Sequence, residues 1–237
     1  MCGCEWILET ADSTFDVGGD SAIAVDSMGA VHLSYLAHSG YNLKYARRAP
    51  AGGWTTETIT SAGYVGRCTS IAVDSSGTIH VSYRDEPFSG QQGYNLWYAR
   101  KPAGGSWTTE QVDNSVTVTT VAGCATSIAL DASGVVHIAY SDPRGSQVKH
   151  AWRPAGGTWN TEAIDDGYAG SSSFLRISAT GYAQVSYRKN TCLMFARRTS
   201  GGTWQTTTVT CDVRPGEDSS LVEDTNGGLH IAHRDTF

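Results

Sequence analysis

The sequence predicts an all-β protein, a β-propeller of about five four-stranded antiparallel blades. Three recurring segments predict this fold: a β-hairpin with an Asp-x-x-Gly turn, a strand of the form Leu-x-Tyr-Ala, and a strand that begins with Trp after a Gly-Gly turn. Repeats of about 40 to 50 residues with four strands each are typical of propeller blades. Here the successive spacings are 48, 57, 47 and 46 residues by subtraction, counted between the hairpin turns that begin at Asp26, Asp74, Asp131, Ser178 and Asp224.

The first two strands of a repeat are clearest between Ser70 and Tyr83. Apolar residues alternate with small or polar ones on both sides of the turn, and this period of two indicates β-strands. Asp74 is able to hydrogen-bond its own backbone, and Gly77 is free to adopt positive φ. Residues 74–77 are therefore predicted to form the turn. Copies of this hairpin occupy residues 21–35, 127–140, 173–187 and 220–233.

The third and fourth strands follow in the same order. In the second repeat, residues 96–100 predict a strand, residues 102–105 a turn, and Trp107-Thr-Thr-Glu110 the start of the return strand. The Trp strand occurs five times, at Trp6, Trp54, Trp107, Trp159 and Trp204, whereas the Leu-x-Tyr-Ala strand occurs four times. The tryptophans favour packing between blades over sugar stacking, because each has a fixed place beside its turn.

The last blade is therefore incomplete or closed by the N-terminal Trp strand, residues 6–10. A fragment of a longer propeller and closure through a second chain are alternatives, since an unpaired strand edge invites pairing. The repeats predict a single β-propeller domain over residues 1–237, with repeats centred on residues 21–57, 70–110, 127–162, 173–207 and 220–237, plus residues 6–10.

Composition limits the partners. The formal net charge is -6 and the charges are scattered, so nothing favours binding to nucleic acid or to an anionic membrane. No apolar run approaches the roughly 18 residues that membrane insertion requires. A low charged fraction, 17%, with abundant Gly, Ser, Thr, Trp and Tyr predicts a secreted or cell-surface protein whose signal peptide is absent from this chain.

Cysteines and histidines are interpreted as structural. Cys192 and Cys211 lie at the two ends of one predicted hairpin, which predicts a disulfide, and Cys68 with Cys124 is a second candidate pair. The histidines at one repeat position predict hydrogen-bonded packing, because Gln184 replaces them in one copy; they are His32, His80, His137 and His230. We expect no cofactor and no metal, and the Asp-x-x-Gly turns need no calcium.

The longer links between strands fall on one face of the propeller, and binding residues concentrate on such loops. Side chains of three kinds are predicted there as a ligand-binding set: Arg84, Arg144, Arg188 and Arg234; Asp85, Asp142 and Asp235; and Tyr64, Tyr94 and Tyr168. Arginines and carboxylates beside tyrosines suit sugar hydroxyls or a uronic or sialic carboxylate. The alternative is a ring of Arg-Asp pairs between neighbouring blades.

The segments SIAVDSSGTIHVSYRD, LWYAR and GGSWTTEQVD resemble the repeats of secreted bacterial β-propeller proteins, which are loosely similar to sialidase-like and Asp-box propellers and to propeller lectins. The resemblance implies the fold, and its members include lectins, adhesion modules, glycosidases and polysaccharide lyases. A true Asp box has the form Ser-x-Asp-x-Gly-x-x-Trp, whereas here the turn at Asp74 leads to His80. Sialidase chemistry is not implied residue by residue.

Two functions from different classes follow. The first is a non-enzymatic extracellular module that binds carbohydrate, or another extracellular partner, through the long-loop face. The second is a glycan-cleaving hydrolase or lyase, with Asp85, Glu86 or Asp142 as acid or base and Arg84 or Arg144 binding a substrate carboxylate. A structural or assembly propeller, which self-associates through the incomplete blade, is a third possibility.

Overall fold

The computed structural model describes residues 5–85, 95–113, 125–142, 147–167, 169–211 and 217–234. These residues form eighteen β-strands and no helix. The strands make four four-stranded antiparallel sheets and one two-stranded sheet. This arrangement confirms the predicted all-β propeller, with four complete blades and a fifth blade of two strands.

Each blade uses consecutive strands, innermost first. Blade 1 contains β1 (Val17–Val25), β2 (Val31–Ala37), β3 (Asn42–Arg48) and β4 (Trp54–Thr60). Blade 2 contains β5 (Val65–Val73), β6 (Ile79–Asp85), β7 (Leu96–Lys101) and β8 (Thr108–Asp113). Blade 3 contains β9 (Thr126–Leu130), β10 (Val136–Asp142), β11 (Gln147–Arg153) and β12 (Asn160–Asp165). Blade 4 contains β13 (Ala169–Ile177), β14 (Ala183–Lys189), β15 (Cys192–Arg198) and β16 (Trp204–Thr210), and blade 5 contains β17 (Glu217–Glu223) and β18 (Leu229–Arg234).

The antiparallel order separates two faces. The turns between first and second strands and between third and fourth strands lie at one end of every complete blade, which we call the tight-turn face. The links between second and third strands, and those between blades, lie at the opposite end, which we call the long-loop face. First strands of consecutive blades contact one another, from β1 to β5, β9, β13 and β17.

Hydrogen bonds to an aspartate side chain stabilise the turn between the first and second strands. In blade 2 the Asp74 Oδ1 atom accepts hydrogen bonds from the backbone N–H groups of Ser76 and Thr78, both at 2.9 Å. Gly77 has φ of 78°, the left-handed conformation that glycine adopts without a steric cost. The same two backbone bonds recur at Asp26, Asp131 and Asp224. These are the Asx-type turns that the sequence predicts.

The repeated histidine joins this turn to the third strand. In blade 1 the His32 Nδ1 atom lies 2.7 Å from the Tyr45 hydroxyl, and Nε2 lies 3.2 Å from Asp26. His80 makes the equivalent contacts, and His137 contacts His150 where blades 1 and 2 have tyrosine. The predicted packing role is confirmed for these three buried residues, whereas His230 in blade 5 is exposed and bonds Asp224.

Consecutive blades are joined by a set of contacts that we call the inter-blade clasp. A glutamate on the fourth strand of one blade accepts hydrogen bonds from a basic residue and from the Trp indole of the next blade. Glu57 accepts from Lys101 at 2.6 Å and from Trp107 at 3.0 Å. Glu110 with Arg153 and Trp159, and Glu162 with Arg198 and Trp204, repeat the clasp.

The tryptophan rings of the clasp pack on the preceding blade. Trp107 lies edge-on to Tyr45 with ring centroids 5.3 Å apart, and Trp159 lies edge-on to Tyr98 at 5.2 Å. Trp204 packs on His150 in the same way. The prediction that these tryptophans pack between blades is confirmed.

The two ends of the chain differ from the interior blades. Residues 6–10 form no strand, and Trp6 is 91% exposed. This segment therefore does not close the last blade. Glu9 nevertheless accepts hydrogen bonds from Arg48 and Trp54, as a clasp glutamate does. Asp12 likewise accepts from the Tyr35 hydroxyl at 2.7 Å, as Asp113 does from Tyr140. The N-terminal segment thus lies on blade 1 where a fourth strand of a preceding blade would lie.

The predicted disulfide between Cys192 and Cys211 is confirmed and joins the ends of β15 and β16. Cys68 is also disulfide-bonded, and the partner predicted for it, Cys124, lies outside the described residues. Among the described residues we find no helix with the length and apolar character to span a membrane.

Candidate functional site

Arg84 lies buried between blades 2 and 3 beneath the long-loop face. Its Nη2 donates a hydrogen bond to the backbone carbonyl of Ser141, and its guanidinium lies 5.8 Å from the Tyr140 ring centroid. Burial lowers the pKa of Arg84 to about 10, while Tyr140 and Asp142 act in the opposite direction. Arg84 therefore stays charged at neutral pH and holds β6 against β10 from a position with no exposed surface.

Asp85 is the last residue of β6, and its side chain is hydrogen-bonded to residues at the start of β7 and just before it. Its carboxylate accepts hydrogen bonds from the backbone and side-chain amides of Asn95, at 2.6 and 2.8 Å, and from the Trp97 indole at 3.0 Å. Asp142 is buried near Arg84, and its negative charge raises the pKa of Arg84. The structure thus gives both carboxylates protein partners.

The other predicted arginines have different surroundings. Arg188 Nε donates to the Asn190 carbonyl at 2.9 Å, within its own hairpin. Arg234 lies 3.4 Å from Asp218 in an exposed ion pair. The three arginines at this repeat position thus contact different partners. Tyr94, Arg144, Tyr168 and Asp235, like Glu86, lie outside the described residues, and the ligand-binding role of the whole set stays a prediction.

Tyr64 belongs to a cluster over blades 1 and 2 that we call the aromatic patch: His38, Tyr41 and Tyr64, all half-buried on the long-loop face. The Tyr41 and Tyr64 ring centroids are 4.1 Å apart, with the planes inclined by 36°. His38 meets Tyr41 edge-on at 6.3 Å. The patch presents aromatic surface together with two phenol groups and an imidazole.

Three chain segments converge to build the patch. The His38 N–H donates to the Asp16 carbonyl at 2.9 Å, and the Val65 N–H donates to the Tyr41 carbonyl at 3.0 Å. Gly66 allows the close approach, because a Cβ there would lie 3.1 Å from the Leu43 Cα atom. The segment before β1, the β2–β3 link and the β4–β5 link are thereby fixed together.

Polar side-chain pairs border the patch. The Asp16 carboxylate lies 3.7 Å from His38 Nδ1, and Arg67 Nη1 lies 3.3 Å from Asp20. Both β1 and β5 contain β-bulges at this end, where the register with the neighbouring strand shifts. Bulges commonly redirect side chains next to binding sites. Donors and acceptors therefore lie beside the aromatic surface.

The backbone is strained at the same place. Asp16, Asp20, Tyr41 and Cys68 have φ between 46° and 55°, and they are four of six non-glycine residues with positive φ in the described structure. Such conformations cost roughly 1 to 3 kcal/mol each and cluster at functional sites. Asp20 and Cys68 share one repeat position, at the bulge of the first strand, and Asp218 of blade 5 holds the same position with φ of 52°, so these conformations belong to the repeat.

Sequence reasoning missed His38, Tyr41, Asp20 and Arg67. The sequence does place all four on the longer links that we predicted for this face, at residues 10–20, 36–42 and 60–69. The available signal was the pair of tyrosines in two neighbouring links, each in a Gly-containing segment. The patch itself depends on how the links of two blades meet, which a repeat pattern does not specify.

No grouping of His, Cys, Asp and Glu suited to a metal ion occurs in the described ranges. The aromatic rings and polar pairs of the patch can make apolar contacts and hydrogen bonds with a polar ligand.

No family model matches this sequence, and no curated protein matches it. Solved structures do match the fold. An α-L-arabinanase of Penicillium chrysogenum in complex with arabinobiose aligns with a TM-score of 0.67 and 10% identity, covering 90% of this chain and 74% of that one. An α-L-arabinofuranosidase of Fusarium graminearum with arabinobiose aligns with a TM-score of 0.65 and 10% identity over 92% of this chain and 74% of that one.

A mutant of Aleuria aurantia lectin in complex with α-methyl-L-fucoside aligns with a TM-score of 0.57 and 15% identity, over 90% of this chain and 72% of that one. At these identities the similarity shows the fold alone. The chain is a β-propeller, similar in architecture to propeller glycosidases and to a propeller lectin.

Proposed function

We propose that this chain is a secreted, lectin-like propeller that binds carbohydrate at the aromatic patch. The observation that carries the proposal is the close pair of Tyr41 and Tyr64 rings, 4.1 Å apart on the long-loop face, with the Arg67–Asp20 ion pair on the adjoining bulges. A saccharide has apolar C–H faces and many hydroxyls, so it needs aromatic contact and paired donors and acceptors in one place.

Each part of the patch has a role in this proposal. The tyrosine faces contact the sugar ring, and the phenols donate or accept hydrogen bonds. The Arg67 guanidinium has five N–H donors in a fixed plane, and Asp20 supplies acceptors. The strained backbone at Tyr41 fixes the ring before the ligand arrives, which lowers the conformational entropy lost on binding.

The comparisons support the same ligand class. The fold neighbours include a lectin in complex with a fucoside, and an α-L-arabinanase and an α-L-arabinofuranosidase that are each in complex with arabinobiose. A disulfide between Cys192 and Cys211 supports secretion, because such bonds persist mainly in oxidising compartments.

Glycan cleavage is the second candidate, and one observation favours it. Two carboxylates border the same aromatic patch: Asp16 lies 3.7 Å from His38 Nδ1, and Asp20 forms an ion pair with Arg67. Glycoside hydrolysis ordinarily uses two carboxyl groups on either side of the scissile bond. Cleavage releases a shorter saccharide, whereas binding alone releases none.

A glycan array that includes arabinans, fucosylated glycans and acidic polysaccharides tests the proposal. We expect saturable binding by the purified chain, and binding at least about tenfold weaker for Tyr64→Ala. Tyr182→Ala is the matched control, because Tyr182 is 37% exposed and follows a tight turn of blade 4. Binding without released saccharide supports the lectin, and released product supports the hydrolase or lyase.

A folded protein that binds nothing on the array would contradict both candidates. Equal loss of binding in Tyr64→Ala and Tyr182→Ala would place the site elsewhere.

A further inference from the structure

We propose a second saccharide site, selective for a neutral monosaccharide unit, in the cleft between blades 1 and 2 at the tight-turn face. The cleft has a volume of about 490 Å³ and is lined by turn residues 26–28, 74–77 and 102–105 and by the side chains of Tyr45, Arg47, Glu57 and Lys101. This volume lies in the range of small-molecule sites. The cleft is at the opposite end of the blades from the aromatic patch, so the two sites are distinct.

Lys101 leaves this cleft open. At the next clasp the basic residue is Arg153, whose guanidinium lies 4.8 Å from the Tyr98 centroid and 5.0 Å from the Trp159 centroid. The Lys101 ammonium lies farther from the equivalent rings, at 5.9 Å from Tyr45 and 5.8 Å from Trp107. A planar guanidinium covers more of the aromatic surface than a single ammonium group on a slender chain. Lysine at this one clasp position therefore leaves space that arginine fills at the other.

Arg47 supplies the hydrogen-bond donors. Its side chain lines the cleft and is half-buried, and its guanidinium has no hydrogen bond or ion pair with any residue that the structure describes. The equivalent residue of blade 3 is Trp152, which instead stacks on His150 with centroids 5.2 Å apart. Five N–H donors are thus available to a ligand at this interface.

Carboxylates supply the acceptors. The Glu57 side chain is 42% exposed, and its Oε1 atom accepts from Lys101 while retaining a second lone pair. Asp26 and Asp74 border the cleft, and each already accepts bonds from its own turn. Three carboxylates and two cations leave a formal charge of one negative unit around the cleft. An anionic saccharide is disfavoured there, and a neutral one, which both donates and accepts, fits.

Saturation-transfer NMR with separate samples of L-arabinose, L-fucose, D-galactose and D-glucuronate tests the inference. We expect at least one neutral sugar to bind, and D-glucuronate to bind more weakly than that sugar. Lys101→Arg keeps the charge and reproduces a clasp that the chain already contains, so it should fold, and in the Tyr64→Ala background, where the aromatic patch is disabled, we expect it to weaken the neutral-sugar signal at least about tenfold. Arg153→Lys is the matched control and retains the signal.

Three results in the Tyr64→Ala background would overturn the inference: no neutral sugar binds, the addition of Lys101→Arg leaves binding unchanged, or D-glucuronate binds as tightly as the neutral sugars. Tyr64→Ala separates this site from the aromatic patch. Loss of the whole signal in Tyr64→Ala would assign the sugar to the patch and contradict a second site, whereas a signal that remains in Tyr64→Ala and falls when Lys101→Arg is added supports it.

Discussion

His137 is a titratable side chain enclosed in the interface between blades 3 and 4. Its Nδ1 lies 3.0 Å from His150 Nε2, and its Nε2 lies 3.7 Å from the Asp131 carboxylate. Burial, reinforced by His150, lowers the pKa of His137 to about 4 although Asp131 acts in the opposite direction. Burial also lowers the pKa of His80 and of His150. These rings fold in the neutral form.

We expect a replacement of His137 to change the stability of the protein at acid pH. Between pH 6.5 and about 4, His137 is protonated in the unfolded chain and neutral in the folded one, so stability is lost as the pH falls through this window. His137→Gln copies the residue that blade 4 carries at this position and cannot titrate. We expect the variant to lose less stability between pH 7 and pH 4.5, by on the order of 2 kcal/mol in urea unfolding.

His38→Gln is the control, because His38 lies on the surface with a side chain 38% exposed. An identical pH dependence in His137→Gln and the parent chain would show that the pKa of His137 is the same in the folded and unfolded states.

Hydroxyl pairs join neighbouring blades at the level of the strands. Thr69 donates to Ser34 at 2.7 Å between blades 1 and 2, and Ser82 lies 2.9 Å from Thr126 between blades 2 and 3. Blades 4 and 5 share the same pair through Ser186 and Ser219. Between blades 3 and 4 the second strand carries Ala139 in place of serine, and the buried Ser173 Oγ has no hydrogen-bond partner.

Restoring this pair should stabilise the protein. Ala139→Ser supplies a partner for Ser173, and we expect the free energy of unfolding to rise by about 0.5 to 1.5 kcal/mol. Ser34→Ala removes the bond to Thr69 and should lower it by a similar amount. Urea unfolding of both variants checks the pair, and a destabilised Ala139→Ser would show that the site has no room for the hydroxyl.

Local chemistry made the blade predictable from sequence. The Asp74 turn, the alternation through β6 and the pairing of Cys192 with Cys211 each depend on residues within one repeat. The aromatic patch was not predictable, because Tyr41 and Tyr64 come from links of different blades that meet only after the blades pack. Arg84 shows the same limit. Its position at the end of β6 was predicted, but burial under Ser141 depends on the neighbouring blade.

The whole molecule has two blade surfaces without a described neighbour. Ile23 on β1 is 67% exposed, whereas its repeat counterparts Ile71 and Ile128 are 7% and 6% exposed. On β18, Leu229 is 41% exposed, and its counterpart Val136 is buried. The interior blades therefore contribute most of the buried apolar surface.

This difference predicts unequal costs for the same substitution. Ile128→Ala should lower the free energy of unfolding by about 2 to 5 kcal/mol, because it opens a cavity in the core. Ile23→Ala removes exposed surface and should change it by less than about 0.5 kcal/mol. Chemical unfolding of the two variants measures both values. Similar losses would mean that the outer surface of blade 1 is covered in solution.

The inter-blade clasp has a fixed direction along the chain. In every clasp the glutamate precedes the tryptophan it binds, by 45, 50, 49 and 42 residues at Glu9, Glu57, Glu110 and Glu162. During synthesis the acceptor has therefore already left the ribosome when its donors emerge. Each clasp has all its partners once the next blade is synthesised, so we expect the blades to assemble in order from the N-terminus.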